Sequence, residues 1–132
     1  MRAAADDLER ALAQAGHGRA AQWGAAMTEA LGRLRDAFEH HVAVTESDNG
    51  LFAEVVETAP RLAHRADQLR RDHEAIRQAV AGALSAVKGV RDEGIEQARE
   101  EVVGLLGRVV RHRSRGAELV YEAWSVDIEA AD

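Results

Sequence analysis

The sequence has no cysteine, one proline and only 4% aromatic residues among its 132 residues. Without thiols the chain can form no disulfide, thiolate metal site, iron–sulfur cluster or cysteine nucleophile, so a metal ion would need His, Asp or Glu ligands. Uncharged stretches such as residues 78–87 fall well short of the ~20 apolar residues that a membrane span requires. The first residues include Arg2, Asp6, Asp7 and Glu9 and lack the apolar segment of a signal peptide, so we expect a cytoplasmic protein.

Alanine, leucine, valine and charged side chains make up most of what is present. The length predicts a single domain spanning residues 1–132, with room for one core and one site. Hydrophobic residues account for 46% of the chain, and their small aliphatic character favours helices over strands. The net charge of -6 argues against nucleic acid or an anionic membrane as the main partner.

Turn-forming residues divide the chain into four predicted helices. The first covers about residues 3–15 and stops at a Gly-His-Gly sequence, and the second covers about residues 20–46 and stops at Ser-Asp-Asn-Gly. A short amphipathic piece, residues 51–58, leads to the third helix, which runs from Pro60 to Val87. The fourth follows Gly94 and reaches about Trp124.

Apolar residues recur at alternating spacings of three and four along the three long predicted helices. This spacing is typical of a left-handed bundle of nearly antiparallel helices, so we predict an all-α, up-down-up-down four-helix bundle. The inward positions are Trp23, Met27, Leu31, Leu34, Phe38, His41 and Thr45; then Leu62, Ala66, Leu69, His73, Ile76, Val80, Ala83 and Val87; then Ile95, Ala98, Val102, Leu105, Val109, His112, Gly116, Leu119 and Ala123.

Each long helix places one histidine on its apolar stripe. With a rise of ~1.5 Å per residue, His41, His73 and His112 lie about 31, 21 and 27 Å from the same end of the bundle, close enough to form one layer. Imidazole is a common ligand for iron, zinc and copper, so the layer predicts a metal site. The alternative is that these histidines are ordinary core residues, hydrogen-bonded to a carbonyl or carboxylate. The other three histidines are expected on the surface: His17, His40 and His64.

Short motifs around these histidines resemble those of the hemerythrin-like, or HHE cation-binding, domain family. The motifs are His-Val-Ala-Val-Thr-Glu at 41–46, Leu-Phe at 51–52, Leu-x-x-x-His-x-x-Ile at 69–76, Leu-Leu at 105–106, and His112. The resemblance covers nearly the whole chain. It implies a helical bundle whose His and carboxylate side chains hold two iron ions.

Several positions depart from the family pattern. The first helix contains no histidine, and the slot for one falls at or before Met1. The remaining positions where the resemblance implies further ligands carry Thr45, Arg77, Gly116 and Ala117. The reduced ligand set that remains is His41, His73, His112 and Glu46.

This reduced set is sufficient for one metal ion with three protein ligands and an open position. The resemblance implies iron, while zinc, no metal, or a haem held by two of the histidines are alternatives. Gly116 leaves space for water, dioxygen or another small ligand, unless it only permits close helix packing. A ferritin-like site is excluded because no Glu lies three residues before an inward histidine. We expect a metal-binding protein with a single-iron site that could serve oxidative or redox chemistry, with a metal-free interaction or regulatory module as the alternative.

Overall fold

Five α-helices form the computed structural model, which describes residues 1–131 and the side chains of residues 1–125. A single turn of 3₁₀ helix precedes each of the last two, at Pro60–Leu62 and Asp92–Gly94. No strand occurs within the described residues. The helices are α1 at Arg2–Leu12, α2 at Ala20–Glu46, α3 at Leu51–Thr58, α4 at Ala63–Val87 and α5 at Ile95–Ala131.

Four of these helices form the bundle, and each packs against two neighbours. Helix α1 contacts α2 and α5, and α4 likewise contacts α2 and α5. Short connections at residues 13–19 and 88–94 join consecutive helices, so neighbours run antiparallel. The short α3 lies between α2 and α4 and packs against both and against α5. The predicted all-α four-helix bundle is confirmed.

The predicted apolar stripes form the core. Every inward position named from the sequence is buried except His41 and Gly116, which are half-buried. The buried apolar residues form two clusters along the bundle. The larger contains Leu8, Met27, Leu31 and Val102, and the smaller contains Phe52 and other residues of α3, α4 and α5. The histidines on α2, α4 and α5 lie between these two clusters.

Helix boundaries differ from the sequence-based ones at a few points. Helix α1 ends at Leu12 instead of continuing to residue 15, and Gly18 in the following loop has a φ of 77°, which favours glycine. Pro60 begins a 3₁₀ turn, so α4 starts at Ala63. The backbone of α5 continues past the predicted end to Ala131. None of the described helices combines the length and apolar character that crossing a bilayer requires.

Candidate metal centre

Three imidazole rings meet between the two apolar clusters. Nε2 of His112 lies 3.2 Å from Nε2 of His41 and 3.2 Å from Nε2 of His73. One ring nitrogen from each histidine lies within 4.8 Å of those of the other two. His73 is 1% exposed and His112 is 4% exposed, whereas His41 is half-buried. The single histidine layer predicted from axial positions is therefore confirmed.

Aromatic packing helps to hold the imidazole of His73 in place. The rings of Phe38 and Phe52 each have their centroid 5.6 Å from that of His73, and Phe38 meets it edge to face. Phe38 also stacks on His41 at 6.2 Å. Because Phe38 is one turn before His41 on α2, both rings reach the layer from the same helix. Packing on several sides leaves these rings little rotational freedom.

A carboxylate lies beside the second ring nitrogen of His73. Oε1 of Glu46 is 3.2 Å from Nδ1 and is also 3.9 Å from Nε of Arg70. The oxygen lies off the N–H direction, so Nδ1 is buried without a well-aligned hydrogen bond. Glu46 thus contacts the ring nitrogen that faces away from the other two imidazoles and does not belong to the group of three converging ligand atoms.

His112 has a corresponding carboxylate that sequence reasoning missed. Its Nδ1 lies 3.4 Å from Oδ2 of Asp72, and Nη1 of Arg115 is 3.4 Å from the same oxygen. Asp72 directly precedes His73 on α4. This helix therefore supplies one imidazole of the layer and also the carboxylate beside the imidazole of His112. The available signal was an acidic residue next to an inward histidine, on the side of α4 that faces α5.

The spacing of the ring nitrogens is compatible with a shared metal ion. Nδ1 of His112 faces Asp72, whereas Nδ1 of His73 has no aligned hydrogen-bond partner. The two Nε2 atoms lie 3.2 Å apart, within hydrogen-bond distance, and the tautomer of each ring sets which of them donates. When both Nε2 atoms are unprotonated, their lone pairs face each other, and a cation between them removes the repulsion. Two imidazoles bound to one ion at about 2.0–2.1 Å have nitrogens roughly 3 Å apart, so the observed separation fits a shared metal.

Burial keeps the three imidazoles neutral. Desolvation, together with the neighbouring His112 and His73, lowers the pKa of His41 to about 4. Burial also lowers the pKa of His73 and of His112, although Glu46 and Asp72 respectively act in the opposite direction. Near neutral pH the layer therefore presents unprotonated nitrogens, which is the form that binds metal ions.

A pocket of about 400 Å³ opens onto this layer. A Cβ atom added at Gly116 would meet nothing within 4 Å, so close helix packing does not require glycine there. The space predicted beside Gly116 is thus present and borders two of the imidazoles. The lining residues are Met1, His41, Thr45, Leu51, Phe52, Leu69, His112, Arg113, Gly116, Ala117 and Val120.

Other positions compared with the family pattern have different roles here. The hydroxyl of Thr45 donates to the carbonyl oxygen of His41 at 2.8 Å. Arg77 donates two hydrogen bonds to Glu39, at 2.7 and 2.9 Å, so its guanidinium is engaged outside the histidine layer. The remaining histidines are exposed as predicted: His17, His40 and His64.

Comparison with known proteins agrees with this geometry. The family model described as "Hemerythrin HHE cation binding domain" matches residues 1–124. The match therefore includes α1 to α4, α5 as far as residue 124, and all three inward histidines. No curated protein and no solved structure gave a significant match to the chain.

Proposed function

The chain belongs to the hemerythrin HHE cation-binding family, and we propose that it binds a single metal ion, iron, through His41, His73 and His112. The observation that carries the proposal is the convergence of three imidazole nitrogens within 4.8 Å. The 3.2 Å separation of the Nε2 atoms of His73 and His112 supports it, because two imidazoles bound to one ion have nitrogens roughly 3 Å apart. Three neutral nitrogens also suit a divalent first-row metal better than a hard cation such as magnesium.

The side chains around the layer favour one ion over two. Two ions about 3.5–4 Å apart need more ligands than three imidazoles supply. Thr45 bonds to a backbone carbonyl and Arg77 is paired with Glu39, so neither position adds a ligand. Glu46 remains a predicted ligand from the sequence, but its position beside Nδ1 of His73 favours an orienting role.

In this proposal the carboxylates orient the ligands. Metal-binding histidines usually donate their other N–H to a carboxylate, which fixes the ring and raises its basicity. Asp72 occupies that position at His112, and Glu46 lies 3.2 Å from Nδ1 of His73 without an aligned hydrogen bond. His41 lies on the pocket side of the layer with its ring held against Phe38.

The pocket supplies access for a small ligand. Its walls include Leu51, Phe52, Leu69 and Val120, which keep the approach to the layer apolar. When bound, iron would supply a redox couple and open coordination positions. We therefore propose oxidative or redox chemistry with dioxygen or another small molecule, in a cytoplasmic setting. The reduced ligand set makes reversible dioxygen carriage by an iron pair a poor fit.

Elemental analysis and an absorption spectrum of protein purified without chelators test this proposal. We expect close to one equivalent of iron per chain after purification or anaerobic reconstitution. Two equivalents would overturn the single-ion site, and a Soret band would indicate haem. Failure to bind iron, zinc or any other divalent metal after reconstitution would favour a metal-free interaction module.

A further inference from the structure

One face of α5 carries arginines that lie within a stretch of the helix containing no acidic residue. Residues 102–117 contain four arginines and no Asp or Glu. Three of them, Arg108, Arg111 and Arg115, follow each other at spacings of three and four, which places them on one side of the helix. Neighbouring like charges on a helix destabilise it. In a chain with a net charge of -6, this local concentration of positive charge is not a consequence of a basic composition.

These arginines border a groove between α4 and α5. The groove consists of two adjoining cavities of about 120 and 470 Å³, which share Asp72 and Arg115. The smaller is lined by Asp72, Ala75, Ile76, Arg108, Arg111 and Arg115. The larger is lined by Arg65, Gln68, Leu69, Arg71, Asp72, Arg115 and Leu119.

Charges in the groove are unevenly paired. Around the larger cavity, Arg65 forms an ion pair with Glu122, and Arg71 pairs with Asp67 at 2.9 Å. Around the smaller cavity, Asp72 is the single acidic residue in the lining, and Arg115 contacts it at 3.4 Å. Within residues 1–125, no carboxylate oxygen lies within 4.0 Å of the Arg108 or Arg111 guanidinium. The smaller cavity therefore has an excess of hydrogen-bond donors and positive charge.

We propose that this groove binds a small phosphate compound, with its phosphoryl group in the smaller cavity between Arg108, Arg111 and Arg115. Guanidinium groups donate paired hydrogen bonds that match the oxygens of phosphate. Ala75 and Ile76 form the apolar part of the wall of this cavity. A volume of about 120 Å³ suits one tetrahedral anion, and the larger cavity has room for the remainder of an ester.

Asp72 links this groove to the histidine layer. Its Oδ2 is 3.4 Å from both Nδ1 of His112 and Nη1 of Arg115. A phosphate that engages Arg115 therefore competes with Asp72 for that guanidinium. The carboxylate that orients His112 would then lose one of its partners, which would couple ligand binding in the groove to the layer. Binding itself does not depend on the proposed metal ion.

Calorimetric titration of the metal-free chain at low ionic strength tests the site, with inorganic phosphate, pyrophosphate and glycerol phosphate as probes. We expect saturable binding that weakens at least tenfold in R108Q/R111Q. The matched control is R10Q/R33Q, which removes the same charge from exposed arginines of α1 and α2 and should bind like the wild type. D72N frees Arg115 and should bind several-fold more tightly.

The outcomes separate the proposal from its alternatives. Tighter binding of glycerol phosphate than of inorganic phosphate would assign the larger cavity to an ester, and equal binding would assign the site to free phosphate. Absence of saturable binding to any of the three probes would overturn the proposal. Equal weakening in the control variant, or binding of an acidic peptide instead of phosphate, would also overturn it. Circular dichroism establishes that each variant is folded.

Discussion

The two halves of the bundle interior differ in how completely they are packed. Around Leu8, Met27, Leu31 and Leu34 the core is apolar, and these side chains are 0% exposed. Around the histidine layer, by contrast, buried polar nitrogens face each other and a pocket of about 400 Å³ reaches the interior. Close apolar packing stabilises a fold, whereas unmatched polar groups and open space destabilise it. The first half therefore supplies stability, and the second holds the buried imidazoles and the open space beside them.

Among the predictions that distinguish the two halves, we expect the largest effect from the substitution His73→Leu. It removes a proposed ligand and leaves a residue of similar volume in an apolar stripe. We expect metal binding to weaken by more than about 100-fold, because one of three ligands is lost. The thermal stability of the metal-free protein should stay equal or rise, since a buried polar ring is replaced. Metal titration followed by thermal denaturation measures both quantities.

The matched control for this change is His64→Leu on the same helix. His64 is exposed and lies outside the layer, so its substitution should leave metal binding intact. A folded His73→Leu protein that keeps one equivalent of metal would show that His73 is not a ligand.

Leu31→Ala should affect stability and leave metal binding unchanged. Leu31 is fully buried in the larger apolar cluster, so truncation leaves a cavity. Comparable core substitutions cost about 2–5 kcal/mol, and we expect about 3 kcal/mol here. Urea denaturation measures the loss, with the exposed Val44→Ala as a control that should change little. A lost metal equivalent in folded Leu31→Ala protein would mean that the two halves are not independent.

Much of this division could be predicted from the sequence, because hydrophobic periodicity is a local property. The spacing on α4 identified Leu69, His73 and Ile76 as inward residues, and counting along the helices brought the three histidines to one level. The contact of Asp72 with His112 could not be predicted in the same way. It depends on how α4 is rotated against α5, and the sequence does not specify that rotation.

The arginines of α5 show the same limit of prediction from sequence. From the sequence, Arg108, Arg111, Arg113 and Arg115 form one charged stretch around His112. In the structure they separate, because Arg113 lines the pocket at the histidine layer while the other three line the groove beside α4. The helical spacing of the four arginines already places Arg113 on a different side of α5 from the other three. Which cavity each side lines is set by tertiary packing and cannot be read from the spacing.

Acid should destabilise the metal-free protein through the histidine layer. Because the folded-state pKa values of His41, His73 and His112 are lowered, the unfolded chain binds more protons as pH falls below ~6.5. Stability is therefore lost towards acid and is unaffected above that range. We expect the free energy of unfolding to fall by roughly 1–3 kcal/mol between about pH 7 and 5, measured by urea denaturation at each pH.

A triple variant with His41, His73 and His112 replaced by Gln tests the origin of this pH dependence. It should flatten the curve over the same interval, whereas replacing the exposed His17, His40 and His64 should leave the wild-type slope. An unchanged slope in the layer variant would place the titrating groups elsewhere in the chain.

Gly116→Ala should have the smallest effect on stability. It tests whether the glycine beside the pocket is needed for helix packing or for access to the histidine layer. Helical alanine is more stable than glycine by roughly 0.5–1 kcal/mol, and a Cβ at Gly116 would meet nothing within 4 Å. We therefore expect metal-free Gly116→Ala to be more stable than the wild type by about that amount. Gly104→Ala is the matched control, because it lies on the same helix and also has open space around a Cβ, yet does not line the pocket. Equal gains in urea denaturation, with metal-site absorption perturbed only in Gly116→Ala, would show that glycine is kept for access to the layer at the expense of stability. Destabilisation by Gly116→Ala alone would instead mean that close packing of α5 requires glycine, and the contrast between the two halves would lose this support.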